Sequence, residues 1–86
     1  MRMKELTLEE IIEDLHAIEE RLQLFEKKYR CLSDSFYKFY LAGKVEDSLE
    51  LIEWIGLIKM KMEREAEYES FLLSSAVSLP FSAKSD

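Results

Sequence analysis

The sequence is poor in residues that break or cross-link a chain: it has one cysteine, one proline and two glycines among 86 residues. With Cys31 alone, it can form no internal disulfide and offers no second thiol for a metal pair. So little glycine and proline excludes a loop-built chain, and 48% hydrophobic residues exclude a disordered one. The chain is long enough for one domain with a thin core, so we expect a partner or a second copy to complete it.

Long apolar runs and a net positive charge are also missing. No apolar stretch approaches the roughly 20 residues of a membrane-spanning helix, and the charged residues 1–5 lack the apolar core of a signal peptide. We therefore expect a cytoplasmic protein with no membrane partner. The net charge of −6 argues against a general nucleic-acid binder, which needs a basic surface to replace phosphate counterions.

The first helix begins with a capping box, because Thr7 is followed three residues later by Glu10. Apolar residues then recur at alternating spacings of three and four, the heptad pattern of a helix with one buried face. The residues of this seam are Leu8, Ile11, Leu15, Ile18, Leu22, Phe25 and Tyr29. The pattern predicts a helix over about residues 8–30. Leucine at the a positions with isoleucine at d favours packing inside a bundle over a two-stranded coil.

A short aromatic helix follows. Ser33 is the expected N-cap of a helix over about residues 34–42, and Gly43 is expected to end it in a left-handed conformation. The aromatic residues that share one side of this helix are Phe36, Phe39 and Tyr40. This helix is predicted to close the core at the corner between its two longer neighbours.

The third helix is predicted over about residues 48–73, with Asp47 as N-cap and Glu50 completing a capping box. Its first three turns are apolar almost all round, so they need cover on more than one side. Trp54 is the expected centre of the core. The residues expected to face the first helix are Leu51, Ile55, Ile58 and Met62.

Together these patterns predict an all-α fold in which two long helices are joined through the short aromatic one. A helical domain over residues 1–73 would precede a flexible tail over 74–86. We expect homo-oligomerisation, as a dimer or larger, to complete a four-helix-like core from the first and third helices of each copy. The core and oligomer residues are predicted to be Leu15, Ile18, Leu22, Phe25, Phe36, Tyr40, Leu51, Trp54, Ile55 and Ile58.

Two further features of the third helix carry expectations. Gly56 lies in its interior, where glycine costs about 1 kcal/mol relative to alanine, so we expect a close helix crossing that leaves no room for a Cβ. Beyond Met62 the helix is highly charged and is expected to project from the core.

Candidate catalytic and metal-binding residues are few. Glu13 and His16 have the Glu-x-x-His spacing of di-iron bundles, but the heptad places both on the outer face, whereas such a site must point into the core. Glu53 lies among apolar neighbours, and structural pairing with Lys38, Lys44 or a tyrosine hydroxyl is favoured over a functional role. We assign no catalytic, cofactor-binding or metal-binding residue and expect a protein that is not an enzyme.

The uncharged stretch over residues 70–83 is the candidate interaction element, with a frayed terminus as the alternative. Its apolar residues, the hypothetical partner-binding set, are Phe71, Leu72, Leu73, Val77, Leu79 and Phe81. The acidic residues over 63–69 would steer it toward a basic partner.

The middle of the chain resembles a known pattern over about residues 20–62. The residues that carry it are Tyr29, Ser33, Phe36-Tyr37, Gly43-Lys44, Asp47-Ser48 and Glu53-Trp54. This order resembles small bacterial and archaeal helical proteins that are commonly encoded beside a small toxin-like gene and are taken to be antitoxins. The sequence departs from that pattern at Arg30, where glycine is expected, and at Gly56, where alanine is commoner.

The resemblance implies a non-catalytic protein that covers and neutralises a small toxin, and the acidic segment suggests that such a toxin would be basic. A structural oligomerisation module without a toxin partner is the alternative. A stable homo-oligomer with no neighbour-encoded partner would favour that alternative.

Overall fold

The structure, a computed structural model, describes residues 7–74, and this part of the chain forms three α-helices and no strand. They are α1 (Leu8–Tyr29), α2 (Ser33–Leu41) and α3 (Leu49–Ser74). The two long helices run antiparallel, since Lys28 near the end of α1 contacts Glu50 at the start of α3, and Asp14 contacts Arg64 further along. The all-α prediction is confirmed, and each helix lies within one residue of its predicted bounds.

The capping box at the start of α1 is present as predicted. The Thr7 hydroxyl accepts from the Glu10 backbone N–H at 3.1 Å, and the Glu10 carboxylate accepts from the Thr7 N–H at 3.0 Å. The residues of the heptad seam that are buried are Ile11, Ile18, Leu22 and Phe25. Leu8 and Leu15 are half-buried, and Tyr29 is 38% exposed, so the buried face of α1 is narrower than the seam.

The corner between α1 and α2 differs from the prediction. Arg30 takes a left-handed conformation (φ 54°, ψ 45°) after the last residue of α1. Ser33 is not the N-cap; it is the first residue of α2, and Leu32 occupies the cap position without a side-chain hydrogen bond. The Glu26 carboxylate of α1 instead accepts from the Ser33 backbone N–H at 2.9 Å. A neighbouring helix thus supplies the cap.

Gly43 ends α2 as predicted, with φ at +73°. The Lys44 N–H donates to the Phe39 carbonyl at 2.9 Å and the Gly43 N–H to the Tyr40 carbonyl at 3.0 Å, which is the Schellman pattern. A cap one residue later than predicted then starts α3. The Ser48 hydroxyl accepts from the Leu51 N–H at 3.1 Å, so the prediction of Asp47 was wrong.

The core lies where the three helices meet around Trp54, which is 1% exposed. Of the predicted core residues, those buried are Ile18, Leu22, Phe25, Phe36, Trp54, Ile55 and Ile58, and Leu51 packs against them partly buried. Leu15 is half-buried outside this cluster and Tyr40 is 38% exposed. Phe36 is the residue of α2 that stacks on the Trp54 ring, whereas the Tyr40 ring stacks on that of Tyr37.

Two expectations about α3 were wrong, and the close crossing expected at Gly56 does not occur between residues 7–74. Met62 is 50% exposed and does not complete the face that packs on α1. The helix does not project immediately beyond it, since the Arg64 Nε donates to the Asp14 carboxylate of α1 at 3.2 Å. A Cβ at Gly56 would meet no atom within 4 Å, so no close crossing within the described chain requires this glycine.

Candidate protein-binding surfaces

The aromatic corner is a structural core and not an open site. The Phe36 ring centroid lies 3.8 Å from that of Trp54, and the two ring planes are 9° apart. Phe25 and Tyr29 of α1 also stack on Trp54, with centroids at 5.4 and 5.5 Å. The indole N–H donates to the Ser33 hydroxyl at 2.9 Å, so the ring's only polar atom is satisfied. Trp54 therefore joins all three helices and is the core's centre, as predicted.

A cluster of polar side chains, Lys28, Tyr29 and Glu50, borders this core between α1 and α3. The Glu50 carboxylate accepts from the Lys28 ammonium at 2.6 Å and from the Tyr29 hydroxyl. The hydrogen bond from Lys28, followed by that from Tyr29, lowers the pKa of Glu50 from its usual 4.5. The same contacts with Glu50 raise the pKa of Lys28 above 10.5 and that of Tyr29 above 10.0. Glu50 is thus an inter-helix contact and not half of a capping box.

Glu53 is paired differently from the prediction. Its carboxylate binds the Arg21 guanidinium of α1, not Lys38, Lys44 or a tyrosine. The side chain is also 48% exposed, so it is not the partly buried carboxylate that its apolar neighbours suggested. The antiparallel register of the long helices, which the local pattern does not contain, brings Arg21 to this position.

The first candidate surface is the outer face of α3, defined as Leu49, Ile52, Gly56 and Met60. These residues recur at spacings of three and four, and Leu49, Ile52 and Met60 are 88%, 56% and 44% exposed. A shallow groove runs along one side of this face; its lining includes Tyr40, Val45, Leu51, Ile55 and Lys59. Among residues 7–74, apolar cover is therefore missing on the side of α3 that faces away from α1.

A second groove lies between α2 and α3 on the other side of the short helix. Its apolar wall includes Tyr37, Ile58 and Met62, and Asp34 and Lys38 stand at its rim together with other side chains of both signs. Because both signs of charge are present, this groove favours neither an acidic nor a basic ligand.

The third surface is the terminal patch, defined as Phe71, Leu72 and Leu73. The structure places all three in the last turn of α3, inside the helix that the sequence predicted over about residues 48–73. Phe71 is 39% and Leu73 87% exposed, and Leu72 is half-buried. Val77, Leu79 and Phe81 of the hypothetical partner-binding set lie outside the described residues.

The candidate chemical residues do not come together. Glu13 and His16 are both exposed on α1, as the heptad position predicted, and Cys31 packs partly buried against the core. Residues 7–74 contain no cluster of three or more histidine, cysteine, aspartate or glutamate side chains positioned for a metal ion. None of the helices formed by this part of the chain combines the length and apolar character that crossing a bilayer demands.

Comparison with protein-family models, with curated proteins and with solved structures gave no match.

The outer face of α3 was present in the sequence only as an excess of apolar residues. The sequence shows that the first turns of α3 are apolar on all sides. Which of these sides remains exposed depends on where α1 and α2 pack.

Proposed function

We propose that this chain is a small protein-binding module of antitoxin type, which covers and neutralises a small basic toxin-like protein encoded beside it. The end of α3 carries this proposal. There the exposed Phe71 and Leu73 follow a run of mostly acidic residues over 63–69. Acidic side chains attract a basic partner over a distance, and apolar side chains then provide the buried contact. The resemblance over residues 20–62 supports the same function.

Charged substitution of the terminal patch tests this function. Phe71→Asp/Leu73→Asp should weaken binding to the product of the neighbouring gene by roughly tenfold or more, since burying these carboxylates at an interface is unfavourable. Leu41→Asp is the matched control, because Leu41 is an exposed helical leucine (66%) outside the terminal patch. Titration of the purified partner measures affinity, and circular dichroism checks folding. Equal binding by wild type and the double variant, with both folded, would reject the terminal patch as the contact.

A structural oligomerisation module is the second candidate, and the exposed apolar outer face of α3 favours it. Both candidates include a homodimer or larger assembly. Sedimentation equilibrium at micromolar concentration tests the assembly directly, and a clean 10.2 kDa monomer would contradict it. A stable oligomer that binds no neighbour-encoded protein would favour the structural module over the antitoxin.

A further inference from the structure

No contact within residues 7–74 requires a glycine at position 56. Glycine lowers the stability of a helix interior relative to alanine, and this one lies in the interior of α3. A Cβ there would meet nothing within 4 Å, so alanine would fit the folded chain. Contacts between residues 7–74 therefore do not explain the choice of glycine, but a backbone that approaches from another molecule would.

Gly56 also lies at the middle of an open apolar face. Ile52 precedes it by one turn and Met60 follows it by one turn, and both are exposed. Glu53 and Lys59 stand three residues before and three residues after it, so on a helix they flank the face on opposite sides. An acidic and a basic residue are thus placed symmetrically about the glycine. Within the chain, Glu53 also binds Arg21 of α1, and the Lys59 ammonium lies 5.9 Å from the centroid of the Tyr40 ring.

We propose that two copies of the chain form a homodimer in which the two α3 helices cross at Gly56 about a two-fold axis. The inference rests on the homo-oligomer of the proposed function and names its contact. The absence of a Cβ lets the two backbones approach closely at the crossing. The exposed Ile52 and Met60 would then be buried on either side of it, which removes the uncovered apolar surface.

The charges of Glu53 and Lys59 indicate that a second copy of the chain covers the outer face of α3. The commonest class of helix packing crosses at about −50°. With the two α3 helices running in the same general direction, this angle brings Glu53 beside Lys59 of the partner subunit. The two-fold axis repeats the pair, so one face supplies both charges, as an isologous contact requires. Helices in opposite directions would place like charges together, which opposes that alternative.

A charge swap tests this contact in the full chain. Glu53→Lys and Lys59→Glu should each raise the dimer dissociation constant by roughly tenfold or more, because each places like charges across the interface. The combined Glu53→Lys/Lys59→Glu variant should return to within about threefold of wild type, since the pair is restored with reversed sign. Residues 53 and 59 are not neighbours on one helix, so a contact between them within one chain cannot produce this rescue. Glu53→Lys also removes the ion pair with Arg21 of the same chain, so Arg21→Gln, which removes only that pair, is the control and should leave the constant unchanged. Sedimentation equilibrium gives each constant, with circular dichroism as the folding check.

Gly56→Ala provides an independent test. It should stabilise the folded monomer through helix propensity and raise the dimer dissociation constant by roughly tenfold or more, because the new methyl groups separate the helices. Ser70→Ala, at an exposed position of α3 well away from the crossing, should leave that constant unchanged. A wild-type monomer would overturn both this inference and the homo-oligomer. A wild-type dimer with unchanged constants in all variants would overturn only the crossing at Gly56. Binding to the neighbour-encoded protein is measured separately through the terminal patch.

Discussion

The indole Nε1 of Trp54 lies 2.9 Å from the Oγ of Ser33, and both side chains are buried. This hydrogen bond links the middle of α3 to the first residue of α2 across 21 positions of sequence. It explains why a serine is buried at the corner: the hydroxyl accepts from a ring that is otherwise surrounded by Phe25, Tyr29 and Phe36.

Ser33→Ala should lower the free energy of unfolding by about 1 to 3 kcal/mol, because the buried indole N–H loses its acceptor. Ser35→Ala, an exposed position of the same helix, is the control and should change it by less than about 0.5 kcal/mol. Urea unfolding followed by Trp54 fluorescence measures both. Equal stability of the two variants would mean that water replaces the serine without cost.

Trp54→Ala should cost about 3 to 5 kcal/mol, since it removes the ring on which α1 and α2 both pack. Total stabilities of about 5 to 15 kcal/mol are usual, so this loss is a large part of the fold's margin. Trp54→Phe, which keeps an aromatic ring but leaves the Ser33 hydroxyl without its donor, should cost less. Thermal melts followed by circular dichroism rank the variants, and a Trp54→Ala midpoint within a few degrees of wild type would contradict the assignment of this ring as the core's centre.

Arg30→Gly should raise the free energy of unfolding by about 1 kcal/mol. Arg30 holds a left-handed conformation, which costs an L-residue about 1 to 2 kcal/mol and which glycine adopts freely. Arg30→Ala is the control, because alanine removes the same side chain and keeps the Cβ. Chemical denaturation distinguishes them. If alanine stabilises as much as glycine, the effect belongs to the arginine side chain and not to the backbone.

Glu50→Gln should make the free energy of unfolding fall less steeply as the pH is lowered. Because the pKa of Glu50 is lowered in the folded chain, its contribution is present above 4.5 and disappears as the pH falls through the lowered value. The raised pKa values of Lys28 and Tyr29 have the opposite sign, so their contributions hold below about 10 and are lost as the pH rises further.

The measurement is the free energy of unfolding between about pH 5 and pH 3. Wild type should lose more stability over this range than Glu50→Gln. Glu20→Gln, which removes one exposed carboxylate of α1, is the control and should follow wild type. Equal slopes for wild type and Glu50→Gln would show that the contact with Lys28 and Tyr29 contributes nothing measurable to the acid response.

Local patterns in the sequence were sufficient to determine the three helices. Three of these patterns depend only on residues that are close in sequence, so they can be recognised without the fold. They are the Thr7 capping box, the heptad spacing of α1 and the helix stop at Gly43. The central position of Trp54 was also predicted from the sequence, where this tryptophan stands among apolar turns directly after the aromatic corner.

The tertiary structure decided the partners of the polar residues and which apolar side stays open. Glu26 caps α2 because the turn after Arg30 brings the start of α2 back to the end of α1. Glu50 binds Lys28 and Tyr29, and Glu53 binds Arg21, only because α1 and α3 lie antiparallel in one register. That register comes from packing between residues more than 20 positions apart, which no local pattern specifies. The open space at Gly56 was decided in the same way. The sequence marked the glycine as unusual, and only the placement of α1 and α2 on the other sides of α3 left it facing outward.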